Sequence, residues 1–199
     1  MSIISLPSVI SWREASLELE SNMTVTRSRS GREQRLINPG DRWSLSLTLS
    51  PMNEDEARHW RAFLMNVQGA GSEFLFGPVD YHGPSDYLGA NARVAGAGQF
   101  GTQLFCDNVD PSSVILKAGE YFSVNNELKV MTSDAVSDGL GRVLLNFEPM
   151  LRHVPGDNTL LEFQSPKAKF RLENSASGWS YGHLGQQQIK SIQAYEVID

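Results

Sequence analysis

A single cysteine, Cys106, stands in 199 residues, which rules out an intrachain disulfide framework and leaves stability to core burial or to partner subunits. Histidine is scarce as well: the four, at 59, 82, 153 and 183, have none of the short spacings of a metal-ligand motif. No window approaches the ~20 apolar residues needed to cross a bilayer. The opening MSIISLPSVISWREASLEL has no basic leader ahead of an apolar run, and Glu14, Glu18 and Glu20 come too early for a secretory signal. Synthesis and first folding are therefore expected in a cytoplasm, and the match of Asn22-Met23-Thr24 to a glycosylation acceptor carries no meaning. Positive charge is in the minority. The 17 Lys and Arg against 23 Asp and Glu give a formal net charge of -6, which argues against a protein whose main work is gripping nucleic-acid phosphates.

What is present suffices for a core, since 40% hydrophobic and 20% charged residues are ordinary for a globular protein. From Ala15 the chain alternates, with Leu17 and Leu19 on one side and Ser16, Glu18 and Glu20 on the other, and Gly31 turns a first hairpin. After Pro39-Gly40, RWSLSLTL alternates most cleanly: Trp43, Leu45, Leu47 and Leu49 face one way and predict a core strand. The next stretch is the one convincing helix. Asn53 and Glu56 make a capping box, Ala57, Trp60, Phe63 or Leu64 and Val67 recur at helical spacing, and Gly69 offers a stop. A short connection places this helix against the sheet of the strand before it.

SEFLFGPVD restores a strand, and Gly77 to Gly101, rich in Gly, Pro, Ala and Asn, reads as a boundary. Beyond it TQLFCDNV, SVILKAG, EYFSV, ELKVMT, GRVLLNFEP and NTLLEF are short strands with close turn signals, as in a small barrel or sandwich. Asn125-Asn126 and Asp138-Gly139 suit tight turns, and Pro149 closes a strand. The last strand carries Ile189, Ser191, Gln193, Tyr195 and Val197 on one side and must pair somewhere. Its economical partner is the first sheet. The expected fold is mainly β: a β-sandwich with one packed α-helix over residues 1–80 and 166–199, interrupted by a small all-β, barrel-like insertion domain at 84–165.

Chemistry is thin on the ground. No G-x-S-x-G elbow occurs, Cys106 sits in an apolar strand as a small core residue, and His59 is a helix-surface residue. His82, between Asp80, Asp86 and two tyrosines, is explained by turn composition, and AGAGQFG lacks the Lys-Ser/Thr of a phosphate loop. No catalytic, cofactor or metal site is expected. Arg27, Arg29, Arg32 and Arg35 lie within nine residues of the first hairpin, without interleaved aromatics for stacking on bases, and read as a solvated or intersubunit arm. Tyr81, Tyr87, Trp179 and Tyr181 are candidate stacking surfaces for a saccharide or a protein partner, against the plainer reading of loop burial.

The order of parts is distinctive. A hairpin precedes the RWSLSLTLSPM strand, which leads straight into NEDEARHWRAFL, then FLFGP and a β-rich insert; the chain resembles the distal tail and minor tail proteins of long-tailed, siphovirus-type bacteriophages. LKAGEYFSVNNELKVMTSDAVSDGLGRVLLNFEPMLR likewise resembles the insertion module of such proteins. The resemblance implies a virion structural protein, not an enzyme: a ring-forming, typically hexameric adaptor at the tail tip. Its implied partners are the tail tube, tape-measure and tip hub proteins, and host-surface saccharide is a further candidate. The competing readings are a carbohydrate-binding module and a tail-associated cell-wall hydrolase.

Overall fold

The computed structural model describes residues 3–8, 11–37, 40–67, 72–87, 89, 91–173, 179–181, 187–189 and 191–198. In chain order, β1 (Ile3–Ile4), β2 (Trp12–Glu20), β3 (Met23–Arg27), β4 (Glu33–Ile37) and β5 (Arg42–Leu49) precede the helix α1 (Glu54–Val67) and β6 (Glu73–Phe76). There follow β7 (Arg93–Val94), β8 (Gly101–Asp107), β9 (Val114–Leu116), β10 (Tyr121–Val124), β11 (Glu127–Met131), β12 (Ala135–Val136) and β13 (Val143–Leu151). The chain closes with β14 (Ala168–Leu172), β15 (Trp179–Tyr181), β16 (Gln187–Ile189) and β17 (Ile192–Glu196). The protein is mainly β with one α-helix, as the patterning implies. It divides into two compact units, one of Met1–Glu20, Arg42–Phe76 and Lys169–Asp199, the other of Ser21–Asp41 and Gly77–Ala168. The arginine-bearing hairpin thus groups with the second unit, although the strands before and after it belong to the first.

The first unit is a six-stranded sheet in the order β1-β6-β14-β17-β5-β2. Trp43, Leu45, Leu47 and Leu49 are its buried row on β5, because only that side of the alternating strand is apolar. The helix is the second layer. Asn53 Oδ1 accepts from Glu56 N at 2.9 Å and Glu56 Oε2 from Asn53 N at 2.9 Å, so the capping box forms, and Ala57, Trp60, Phe63, Leu64 and Val67 are buried. Trp60 stacks on Phe63 with centroids 5.0 Å apart, Phe63 meets Phe74 edge-on at 5.7 Å, and Phe74 stacks on Phe170 at 6.1 Å. The expected stop at Gly69 lies outside the described residues. β17 pairs with β5 and β14, so the last strand returns to this sheet. Its buried residues are Ala194 and Glu196, the set opposite to Gln193 and Tyr195; Tyr195 instead carries the Arg42 guanidinium 3.9 Å from its ring centroid.

The second unit centres on a sheet in the order β10-β11-β13-β8-β7. Residues 158–162 join its two ends. Val94 N donates to Thr159 O and Asn158 N to Val94 O, both at 2.9 Å, while Ser123 and Glu162 exchange both backbone hydrogen bonds at 2.9 Å. These bonds tie one segment to both ends of a curled, half-barrel sheet, whose core includes Val94, Leu104, Phe122, Leu145, Phe147 and Phe163. NTLLEF is the tying segment, and β13 runs past Pro149 to Leu151 with a register shift. Asn125 and Asn126 have φ of 53° and 60°, as their hairpin requires. At the next corner the positive φ belongs to Gly141, at 72°, rather than to Gly139: Asp138 Oδ1 accepts from Leu140 N at 2.8 Å and Arg142 N at 2.9 Å, and a Cβ on Gly141 would lie 2.3 Å from Val109 O. The segment read as a boundary contributes Tyr87, Ala92 and Val94 to the barrel core.

Candidate functional site

Two strands that bury almost nothing form the most unusual surface. β3 pairs with β4 from Met23↔Ile37 to Arg27↔Glu33, and Ser28 N to Arg32 O at 2.9 Å closes the turn around Gly31, φ 80°. Every residue of β3 is exposed, as are Glu33 to Leu36. An isolated two-stranded ribbon is at best marginally stable in water. The register puts Val25, Arg27, Glu33 and Arg35 on one face and Thr24, Thr26, Gln34 and Leu36 on the other. Glu33 sits between two of the predicted arginines, 2.6 Å from Arg27 Nε and 3.4 Å from Arg35 Nη2. Arg29 and Arg32 project from the turn, both exposed, with no carboxylate partner among the described residues. All four arginines lie on one arm.

The arm is tied at its base. Asn22 N donates to Asp41 Oδ1 at 2.8 Å, and the Arg152 guanidinium donates to Asp41 O. Arg152 is itself placed by a buried carboxylate: Glu127 accepts from Arg152 N at 3.1 Å and His153 N at 2.9 Å, and contacts His153 Nδ1 at 2.8 Å. Lys129, fully buried, reaches Glu127 Oε2 at 2.7 Å and Met150 O at 2.9 Å. Burial by itself raises the Glu127 pKa; the Lys129 ammonium and the Arg152 and His153 amides outweigh it and hold the carboxyl below the usual range. Sequence reading missed this network because Glu and Lys on a strand suggest a wet face. The signal was in the turn: a two-residue loop at Asn125-Asn126 sets Val124↔Glu127 and Phe122↔Lys129, so both charges share the face of two apolar residues.

The aromatic candidates fare differently. Tyr87 is 4% exposed and meets Phe163 edge-on at 6.1 Å, so its ring is closed to an incoming sugar. Tyr81 is half-buried, edge-on to Tyr121 at 5.4 Å, its hydroxyl pKa pushed up first by burial and then by the charge of Glu120. Glu120 holds the surrounding loop down, accepting from Ser85 N at 2.9 Å and Lys117 N at 2.8 Å, while Lys117 Nζ lies 2.7 Å from Asp86. Tyr87 is thus a core residue of the second unit, and Tyr81 lies half-exposed beside Tyr121. Trp179 and Tyr181 fall on β15, paired with β16, and their side chains lie outside the described residues.

The titratable residues weighed for chemistry are dispersed. Cys106 is fully buried, its thiol pKa pushed up by burial and by Asp107; His59 lies on the helix with Nδ1 2.8 Å from Asp55 O; His82 is exposed. His183 lies outside the described residues. Among the described residues no group of three or more His, Cys, Asp or Glu is placed to hold a metal ion, and no helix is long and apolar enough to cross a membrane. Gln99 does structural work unforeseen in the sequence: its side-chain amide donates to Phe105 O at 3.0 Å and accepts from Phe105 N at 2.6 Å, standing in for a strand at the side of β8. The chain matches no protein-family model and no curated protein.

Proposed function

We propose that this protein is a structural component of a phage tail tip, a ring-forming distal tail adaptor that joins the tail tube to the tip hub and receptor-binding components. The observation that carries this reading is the arm: an exposed two-stranded ribbon, anchored at its base by Arg152 and Asp41, is marginal on its own and gains stability by lying on another surface. The strand-to-helix order and insert pattern of the sequence supply the tail family. Identical subunits joined by different patches close into rings when the rotation closes, which suits an adaptor between tubular and hub assemblies. The proposed working place is the virion tail tip, reached by assembly in the host cytoplasm. Sedimentation and negative-stain imaging of the purified chain, alone and with tail-tube protein, test the reading. Closed rings are expected, and a monomer under all those conditions would overturn it.

A further inference from the structure

Burial gives the arm no orientation, because every residue of β3 and Glu33 to Leu36 on β4 is exposed. Its direction is therefore set at its base. There the entering and leaving chains meet: Asn22 N donates to Asp41 Oδ1 at 2.8 Å, and Gly40 takes a φ of 125°, where a Cβ would come 3.2 Å from Asn22 Nδ2. A tie from far along the chain reaches the same point, since Arg152, 111 residues on, donates from its guanidinium to Asp41 O. Arg152 follows directly on β13, which ends at Leu151. Its main chain is held in turn by Glu127, which is 4% exposed and accepts from the Arg152 and His153 amides while pairing with Lys129.

We propose that Arg152 is the positioning residue of the arm: with Glu127 holding its main chain, its guanidinium clamps Asp41 and presents the ribbon in one direction before any partner arrives. The chemistry suits a clamp. A guanidinium stays charged at every pH at which proteins fold, and a backbone carbonyl is an acceptor that no titration removes. A buried carboxylate with several donors around it is fixed by them, so Arg152 reaches out from a rigid starting point. A ribbon already oriented loses less conformational freedom on binding than one that swings about its base. This step rests on reading the arm as a contact element, but not on the ring.

The arm carries its own reporter. Arg27 and Arg35 lie within its paired strands, so trypsin cuts after them only when the ribbon opens. In dilute full-length protein, Arg152→Ala is expected to speed cleavage at these two sites about tenfold, through loss of one charge-assisted hydrogen bond. Cleavage after Arg93 on β7 and Arg142 ahead of β13 should keep its wild-type rate. Arg152→Lys retains a cationic donor and restores most of the protection. Hydrogen exchange of peptides spanning 22–37 and 101–107, read by mass spectrometry, repeats the measurement without a protease, and faster exchange is expected in the first peptide alone. Unchanged arm cleavage in Arg152→Ala overturns the clamp. So does a rise shared equally by the arm and the two reference sites, which would give Arg152 a general part in the stability of the unit, and so does a lysine variant as labile as the alanine one. Sedimentation of the same samples scores assembly separately: a wild type without rings sinks the ring reading, and a clamp that passes the cleavage test stands whether or not rings form.

Discussion

In the second unit, residues 158–162 bond to β7 on one side and β10 on the other, so both ends of the curled sheet are tied by the chain's own backbone. In the first, β1 and β2 end the sheet, and β2 has β5 as its one strand neighbour among the described residues. The difference lies in how the strand ends are connected. A sheet tied at both ends by its own chain has fewer free backbone groups to offer a partner. An open sheet keeps a row of directional donors and acceptors, which need another strand or water. The arm belongs with the open sheet in this respect, because among the described residues β3 and β4 are strand-paired only with each other.

The comparison is broken most forcefully inside the barrel. Removing one partner of a buried ion pair leaves the other charge without compensation, at a cost of about 3–5 kcal/mol. Glu127→Ala takes the carboxylate from Lys129, which is 0% exposed, and also strips the Arg152 and His153 amides of their acceptor. Urea unfolding should show that loss, and Glu127→Gln combined with Lys129→Met, which removes both charges and keeps an acceptor, should recover most of it. A single and a double variant of equal stability would show that the network does not hold the barrel end.

Acid sharpens the same point with a smaller effect. The Glu127 carboxyl is held below its ordinary range, so the folded protein binds this proton less readily than the unfolded chain. Its stabilisation is complete above the ordinary glutamate value of about 4.3 and is lost as pH falls through that value toward the folded one. The stability gap between wild type and Glu127→Gln should therefore narrow on going from about pH 6 to about pH 3. A gap that widens on acidification would contradict the assigned direction.

The first unit is held by a capped helix and stacked aromatic rings, and its most legible device should cost less to remove. Asn53→Ala deletes the acceptor for Glu56 N and is expected to cost about 1 kcal/mol, seen as a lower thermal midpoint. That cap was readable because it is local: Asn53, Glu56 and the periodic apolar face lie within one run of sequence. The buried row Trp43, Leu45, Leu47 and Leu49 was readable for the same reason. The tie of NTLLEF to both sheet ends, the Gln99 amide on β8 and the assignment of residues 21–41 to the second unit were not, because each joins residues far apart in the chain or replaces backbone with side chain. Tyr87 illustrates the limit from the other side. A tyrosine among Gly, Pro and Asp residues has the composition of an exposed loop, yet the loop is clamped by Glu120 and the ring ends in the core. The turn at Asn125-Asn126 held unread information, since its two-residue length alone places Glu127 and Lys129 inward.

The smallest expected effect on folding falls where the proposed effect on assembly is largest. Arg29 and Arg32 touch no carboxylate among the described residues, so replacing both with glutamate removes no contact that supports the monomer. Exposed substitutions of this kind lie within about 0.5 kcal/mol of neutral. The urea midpoint of a dilute sample should therefore stay at its wild-type position, while the same variant at high concentration loses self-association. A fall in monomer stability of about 2 kcal/mol would mean that the arginines serve the fold of their own chain through contacts made in solution. The arm would then be a part of the barrel unit that completes itself, and the contrast with the open β2 edge would lose one of its two members.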